Sequence, residues 1–182
     1  FKYLAEMMNF PGVIQQDKEV LSKIKAAKAA GKPVDGHAPQ LTGEDLKKYA
    51  NAGITTEHEA SSYEEAKEKI ESGMMIQIRE GSAARNFDAL YPLIDEYPDQ
   101  VMLCSDDRHP HDLVKGHINS LIRKGQEYGL NLFNLLKAAT FNPVLHYDLE
   151  VGLLRPNDSA DIILVDDLEK FSVAATYING IC

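Results

Sequence analysis

Five times in this chain a short run that suits a β-strand is followed at once by a side chain able to bind a metal or move a proton. Residues 1–5 lead into Glu6, residues 32–36 into His37, residues 53–57 into His58, residues 74–79 into Glu80, and residues 101–105 into Asp106. The positions 6, 37, 58, 80 and 106 differ by 31, 21, 22 and 26, about the length of one strand, one helix and two loops in a (β/α) repeat. The clearest case is Val-Met-Leu-Cys-Ser-Asp-Asp-Arg-His-Pro at 101–110. There an apolar strand delivers two carboxylates at its C-terminal end, which is where α/β enzymes keep their chemistry.

The stretches between these runs read as helices. Residues 17–30 place Val20, Leu21, Ile24 and Ala27 on one face, turn Lys18, Lys23 and Lys25 away from it, and close at Gly31. Thr42 with Asp45, and Ser61 with Glu64, give capping signatures for two more helices that stop at Gly53 and Gly73. Residues 83–94 predict a fourth helix that Pro92 ends or kinks, residues 112–128 a fifth closed by Gly129, and residues 132–139 a sixth ending at Asn142-Pro143. From Val151 turn residues and two apolar runs, 162–165 and 173–178, predict β structure outside the repeat.

Strands alternating with helices predict an α/β fold with a parallel sheet, either an open doubly wound sheet or part of a (β/α)8 barrel. An open sheet gathers its site from a few strands at a switch point, whereas a barrel aims the C-terminal end of every strand at one axis. Reactive residues on five consecutive strands therefore favour a partial TIM-type barrel over residues 1–150, followed by a β segment over 151–182. Five strands do not close an eight-stranded barrel, which takes about 250 residues, so the chain is expected to be a portion of a longer one.

Bulk properties remove some functions without choosing among the rest. The 182 residues are 44% hydrophobic and 26% charged, ordinary for a soluble domain. A formal net charge of −9 argues against nucleic acid and anionic membranes as partners. No apolar run reaches the roughly 18 residues of a membrane span. Cys104 and Cys182 do not make a disulfide framework, so a reducing cytoplasm is expected.

His37 and His58 occupy equivalent positions on neighbouring strands, which brings two imidazoles within reach of one ion. Imidazole nitrogen with carboxylate oxygen suits zinc, iron or manganese. Asp106 reads as a ligand, a general base, or both, and Asp107 as a cap for the next segment. Glu6 fits either a metal bridge or the start of a solvated loop. Arg79 and Glu80 precede Gly81-Ser82, where a polar ligand can bind, although an internal ion pair for Arg79 fits equally well. His109 and His111 follow in a loop, with His109 the better placed to approach a substrate. His117 and His146 read as packing or capping residues.

The stretches Phe1 to Val13, Asp35-Gly36-His37-Ala38-Pro39, Glu57-His58-Glu59, Arg79 to Ala84 and Cys104 to Pro110 together resemble the bacterial and archaeal adenine deaminases of the amidohydrolase superfamily. So do Ala139 to Pro143, Gly152 to Pro156 and Ala160 to Leu164, which resemble the return from the barrel to that superfamily's small β-sandwich domain. The resemblance implies that these are about strands 4 to 8 of the barrel. It places Glu6, His37, His58 and Asp106 at the metal centre, with Asp106 and Asp107 at the reacting group. Arg79, Glu80, Ser82 and His109 would face the substrate. The implied reaction is hydrolytic, adenine and water giving hypoxanthine and ammonia, with manganese or iron, or else zinc, in a binuclear site. Edge strands and family together lead to the expectation of a homo-oligomer with a small purine as its ligand. The superfamily's strand 1 His-x-His is absent, so these residues alone are expected to be inactive. The adenosine deaminase branch carries a Glu three residues after the strand 5 histidine; here that position is Gln40. An amidohydrolase that opens a cyclic amide, and a scaffold portion that binds no metal, are the two alternatives.

Overall fold

The computed structural model describes residues 1–182. Five parallel strands, β1 (Leu4–Met7), β2 (Val34–Gly36), β3 (Thr56–Glu57), β4 (Met75–Arg79) and β5 (Val101–Cys104), form one sheet in sequential order. An order that never reverses has no switch point, so the doubly wound alternative is excluded and the sheet is a portion of a TIM-type (β/α) barrel.

Strands β2 to β5 are largely buried, and each ends one or two residues before its functional residue. Val34, Ile76, Ile78, Val101 and Met102 are all essentially without exposure. Helices α1 (Phe10–Ile14), α2 (Lys18–Ala29), α3 (Gly43–Ala52) and α4 (Tyr63–Glu71) cover the first strands. Asp17 caps α2 by accepting the Glu19 and Val20 amides, and α2 buries Val20 and Ile24, as the apolar stripe predicts. Fully buried side chains such as Ile24 and Leu46 each contribute about 1.5–3 kcal/mol. Two apolar clusters result. One lies under β1 and β2 with α1 to α3, and the larger one surrounds β4 and β5.

Several element boundaries differ from the sequence pattern, each for a local reason. Thr42 precedes α3 but its side chain caps nothing, and Glu68 holds the Gly43 amide at 2.7 Å. The cap of α4 is Ser62 rather than Ser61, whose amide is held by Glu65. Residues 81–85 form a turn closed by a Glu80 to Arg85 bridge, so the helix predicted from 83 starts only at α5 (Phe87–Leu90). Pro92 then separates α5 from α6 (Leu93–Glu96). The helix predicted over 112–128 is two, α7 (Pro110–Leu113) and α8 (Ile118–Glu127), parted at Gly116 with φ +151°.

After α9 (Leu132–Leu136) a π-helical stretch (Lys137–Phe141) runs straight into α10 (Asn142–Tyr147). Asn142-Pro143 thus does not end the helical run, and Pro143 sits just past the π-helical turn. The Asn142 side-chain amide donates to the carbonyls of Pro98 and Val101, fixing α10 against the start of β5. Strands β6 (Ile162–Val165) and β7 (Val173–Tyr177) pair antiparallel as a separate two-stranded sheet. No helix is long and apolar enough to cross a membrane.

Candidate metal centre

The C-terminal ends of β1, β2 and β3 bring Glu6, His37 and His58 together, one donor atom of each lying within 4.8 Å of the others. His37 Nδ1 stands 3.5 Å from Glu6 Oε2, and His58 Nε2 3.9 Å from Glu6 Oε1. The rings meet edge to face with centroids 5.2 Å apart. Glu6 lies within β1, not beyond it, and is held at φ +36°. Asp106 is held at φ +44°. Left-handed backbone at a residue other than glycine costs on the order of 1–3 kcal/mol and is concentrated at functional sites.

Nothing in the strand-end pattern singles out Glu59, yet it is a second carboxylate that, like Glu6, faces both histidines. Its Oε1 lies 3.5 Å from His37 Nδ1 and 3.3 Å from His58 Nε2. Arg79 holds it in place with two bonds, Nη1 to Oε1 at 2.5 Å and Nη2 to Oε2 at 3.0 Å. Its signal in the sequence was a second carboxylate flanking a candidate ligand, in Glu57-His58-Glu59.

These residues fit a divalent metal. His37 Nδ1 is buried and makes no hydrogen bond, although two carboxylates face it. Donors about 2.1 Å from one tetrahedral ion stand about 3.4 Å apart, close to the separations found here. A neutral imidazole with an unused lone pair beside carboxylate oxygen is the donor set such an ion requires.

Asp106 is not one of the three grouped donors. Its carboxylate accepts from Arg79 Nη1 at 2.8 Å, so one guanidinium joins it to Glu59. It lines a cleft of about 170 Å³ together with Glu6, His58, Asp35, Gln77 and Cys104. Burial pushes the Cys104 thiol up to about 12, so it stands in the cleft as an unreactive thiol. In the wall of the cleft, the Asp35 carboxylate accepts from Thr56 Oγ1 at 2.8 Å and from the Tyr147 hydroxyl at 2.9 Å. Gln77 Nε2 donates to that hydroxyl at 2.9 Å. Burial raises the Asp35 pKa, and the Thr56 and Tyr147 bonds oppose it.

The other predicted residues occupy the rim. Glu80 is ion-paired with Lys124 at 3.1 Å. Ser82 donates to Asp112 at 2.6 Å and accepts the His109 amide at 2.9 Å, tying the loop after β4 to the start of α7. His109, not Asp107, is the residue that precedes α7. Asp107 lies against Gly81, where any side chain would meet its Oδ1 at 2.0 Å. The Ser82 bond, helped by Lys115 and His111, lowers the Asp112 pKa. His146 contacts Thr55 Oγ1 at 3.2 Å, away from the donor cluster.

Known proteins resemble this chain in sequence and in fold. The chain is 61% identical over 181 residues to adenine deaminase of Methanosarcina mazei, 54% over 180 to that of Parabacteroides distasonis, and 50% over 182 to that of Borreliella burgdorferi. These alignments cover 98–99% of this chain and 33% of each relative, so the chain spans about a third of their length. Among solved structures, a β-aspartyl dipeptidase of Fervidobacterium islandicum AW-1 superposes with a TM-score of 0.66 at 19% identity, over 92% of this chain and 52% of that one. An N-acetyl-D-glucosamine-6-phosphate deacetylase of Mycobacterium smegmatis gives 0.64 at 15%, over 90% and 51%. At such identities the likeness is one of fold. The amidohydrolase family matches residues 2–182, from the first strand through the terminal β pair, and the chain belongs to that family.

Proposed function

We propose that this chain forms the metal-donor and proton-transfer portion of a hydrolase that deaminates adenine, giving hypoxanthine and ammonia for purine salvage. The observation that carries the reading is identity of 50–61% across nearly the whole chain to proteins named adenine deaminase. Glu6, His37 and His58 hold a divalent metal, manganese or iron in preference to zinc, in a site completed as binuclear by donors outside these residues. A bound metal supplies acidified water at neutral pH, lowering its pKa from about 15.7 toward 7.

The remaining chemistry belongs to this chain's side chains. Asp106 moves two protons in turn, the first from the attacking water to the ring nitrogen N1 and the second from the hydroxyl added at C6 to the amine, which leaves as ammonia as the C6 carbonyl forms. Arg79 keeps the Asp106 carboxylate aimed into the cleft through its 2.8 Å bond. Asp107 and His109 from the loop after β5, with Arg79, Glu80 and Ser82 from the end of β4, line the purine's approach. Lys124 and Asp112 hold Glu80 and Ser82 in position. Residues 151–182 lead toward the family's small β-sandwich domain, and the assembled enzyme works as a homo-oligomer.

The test is adenine-dependent ammonia release by the longest natural chain that contains this sequence, loaded with manganese or iron. Asp106→Asn is expected to lower kcat by about 10²–10⁴-fold, the range for losing a positioned acid or base, with folding intact. A loaded protein that leaves adenine untouched overturns the reading and makes cyclic amides the next substrates.

A further inference from the structure

The loops that carry His37 and His58 are tied together from behind by a buried ionic group that touches neither imidazole. Lys69, on α4, is 0% exposed. Its ammonium lies 3.1 Å from Glu57 Oε2 and 2.6 Å from Glu65 Oε1, and donates to the Ala38 carbonyl at 2.8 Å. Glu57, also 0% exposed, accepts the amides of Ala38, Glu59 and Ala60 at 3.1, 2.9 and 2.8 Å. Glu65 accepts the amides of Gln40 at 2.7 Å and Ser61 at 3.1 Å. Every backbone group the three side chains hold lies in 38–40, just after His37, or in 59–61, just after His58.

Burying three charges is expensive. The penalty is several kcal/mol per ion even after relaxation, and apolar residues of similar volume often serve stability as well or better. Ala66 and Ile70 on the same side of α4 are already buried and apolar, so Lys69 is not needed to fill that face. What the ions supply is acceptors and a donor for irregular backbone, at fixed distances, on two separate loops at once. We infer that Lys69, Glu57 and Glu65 are positioning residues that set the spacing of the His37 and His58 imidazoles for a metal ion. The inference rests on the metal reading proposed above.

The test uses the full natural chain and does not depend on turnover. Mn²⁺ dissociation constants and the visible spectrum of the Co²⁺-loaded protein are measured for the wild type, for Lys69→Met combined with Glu57→Gln, and for Lys69→Arg. The double variant removes one charge of each sign and leaves Glu65 held by the Gln40 and Ser61 amides. It is expected to bind Mn²⁺ about 10–100-fold more weakly, the usual effect of losing a residue that orients a ligand, and to shift the Co²⁺ bands. Lys69→Arg, which keeps a cationic donor, is expected to recover part of both. Should the double variant not fold, Glu65→Gln carries the test by loosening only the Gln40 and Ser61 amides; weaker Mn²⁺ binding with altered Co²⁺ bands supports the inference. Folded variants with wild-type affinity and bands overturn the inference alone. A wild type that binds neither ion overturns it together with the metal reading.

Discussion

His146 is a residue whose environment decides its charge. Burial holds its imidazole below the usual pKa, and the Asp35 carboxylate pulls weakly the other way. A histidine with a depressed folded pKa takes up its proton first in the unfolded chain. Stability is therefore full above the unfolded value of about 6.5 and declines as pH falls from there through the folded pKa. His146→Gln, which retains a partner for Thr55, is expected to flatten that decline. Urea midpoints between about pH 7 and 5 should move less in the variant than in the wild type. His117, lowered by burial and by Arg108, contributes to the slope that remains. An equal slope in both proteins would place the acid sensitivity elsewhere.

Among the elements, β2 is tightly confined. A Cβ at Gly36 would lie 2.4 Å from the Thr56 carbonyl, 2.8 Å from Ile54 and 3.1 Å from the Tyr49 hydroxyl. That hydroxyl donates to the Met7 carbonyl at 2.7 Å and accepts the His37 amide at 3.1 Å, so it fixes the ends of β1 and β2 together. Gly36→Ala is expected to cost about 1–3 kcal/mol in a urea titration, the range for overpacking a filled interior. Strand existence and order were legible because each apolar run announced itself beside a reactive residue. Helix limits were less so, because the first amides of a helix are also held by groups distant in sequence: Glu68 takes the Gly43 amide at the start of α3, where Thr42 makes no side-chain cap. His37 and His58 were legible from spacing, whereas Glu59 was not, since its role comes from Arg79 twenty residues away. Lys69 shares a helical face with Ala66 and Ile70, so its burial could be read from phase, but its partners on two loops could not.

The whole molecule has two apolar cores separated by a polar seam. Eleven buried residues cluster under β1 and β2 with α1 to α3, sixteen around β4 and β5, and Thr56, Glu57, His58, Glu65 and Lys69 lie buried between them. Apolar contacts that do not run continuously through a domain allow its parts to open separately. Hydrogen exchange is expected to show amides of α1 to α3 and β1 opening at lower free energy than those of β4, β5 and α8. One shared opening energy for all of them would show that the seam couples the cores fully.

The sequential strand order also bears on how the protein is made. Each strand lies beside the one synthesised just before it, so pairing never waits for a distant segment of chain. Glu6, His37 and His58 are all synthesised before β4, and only Asp106 arrives later, after the fifth strand. The donor cluster can therefore take shape in the order of translation.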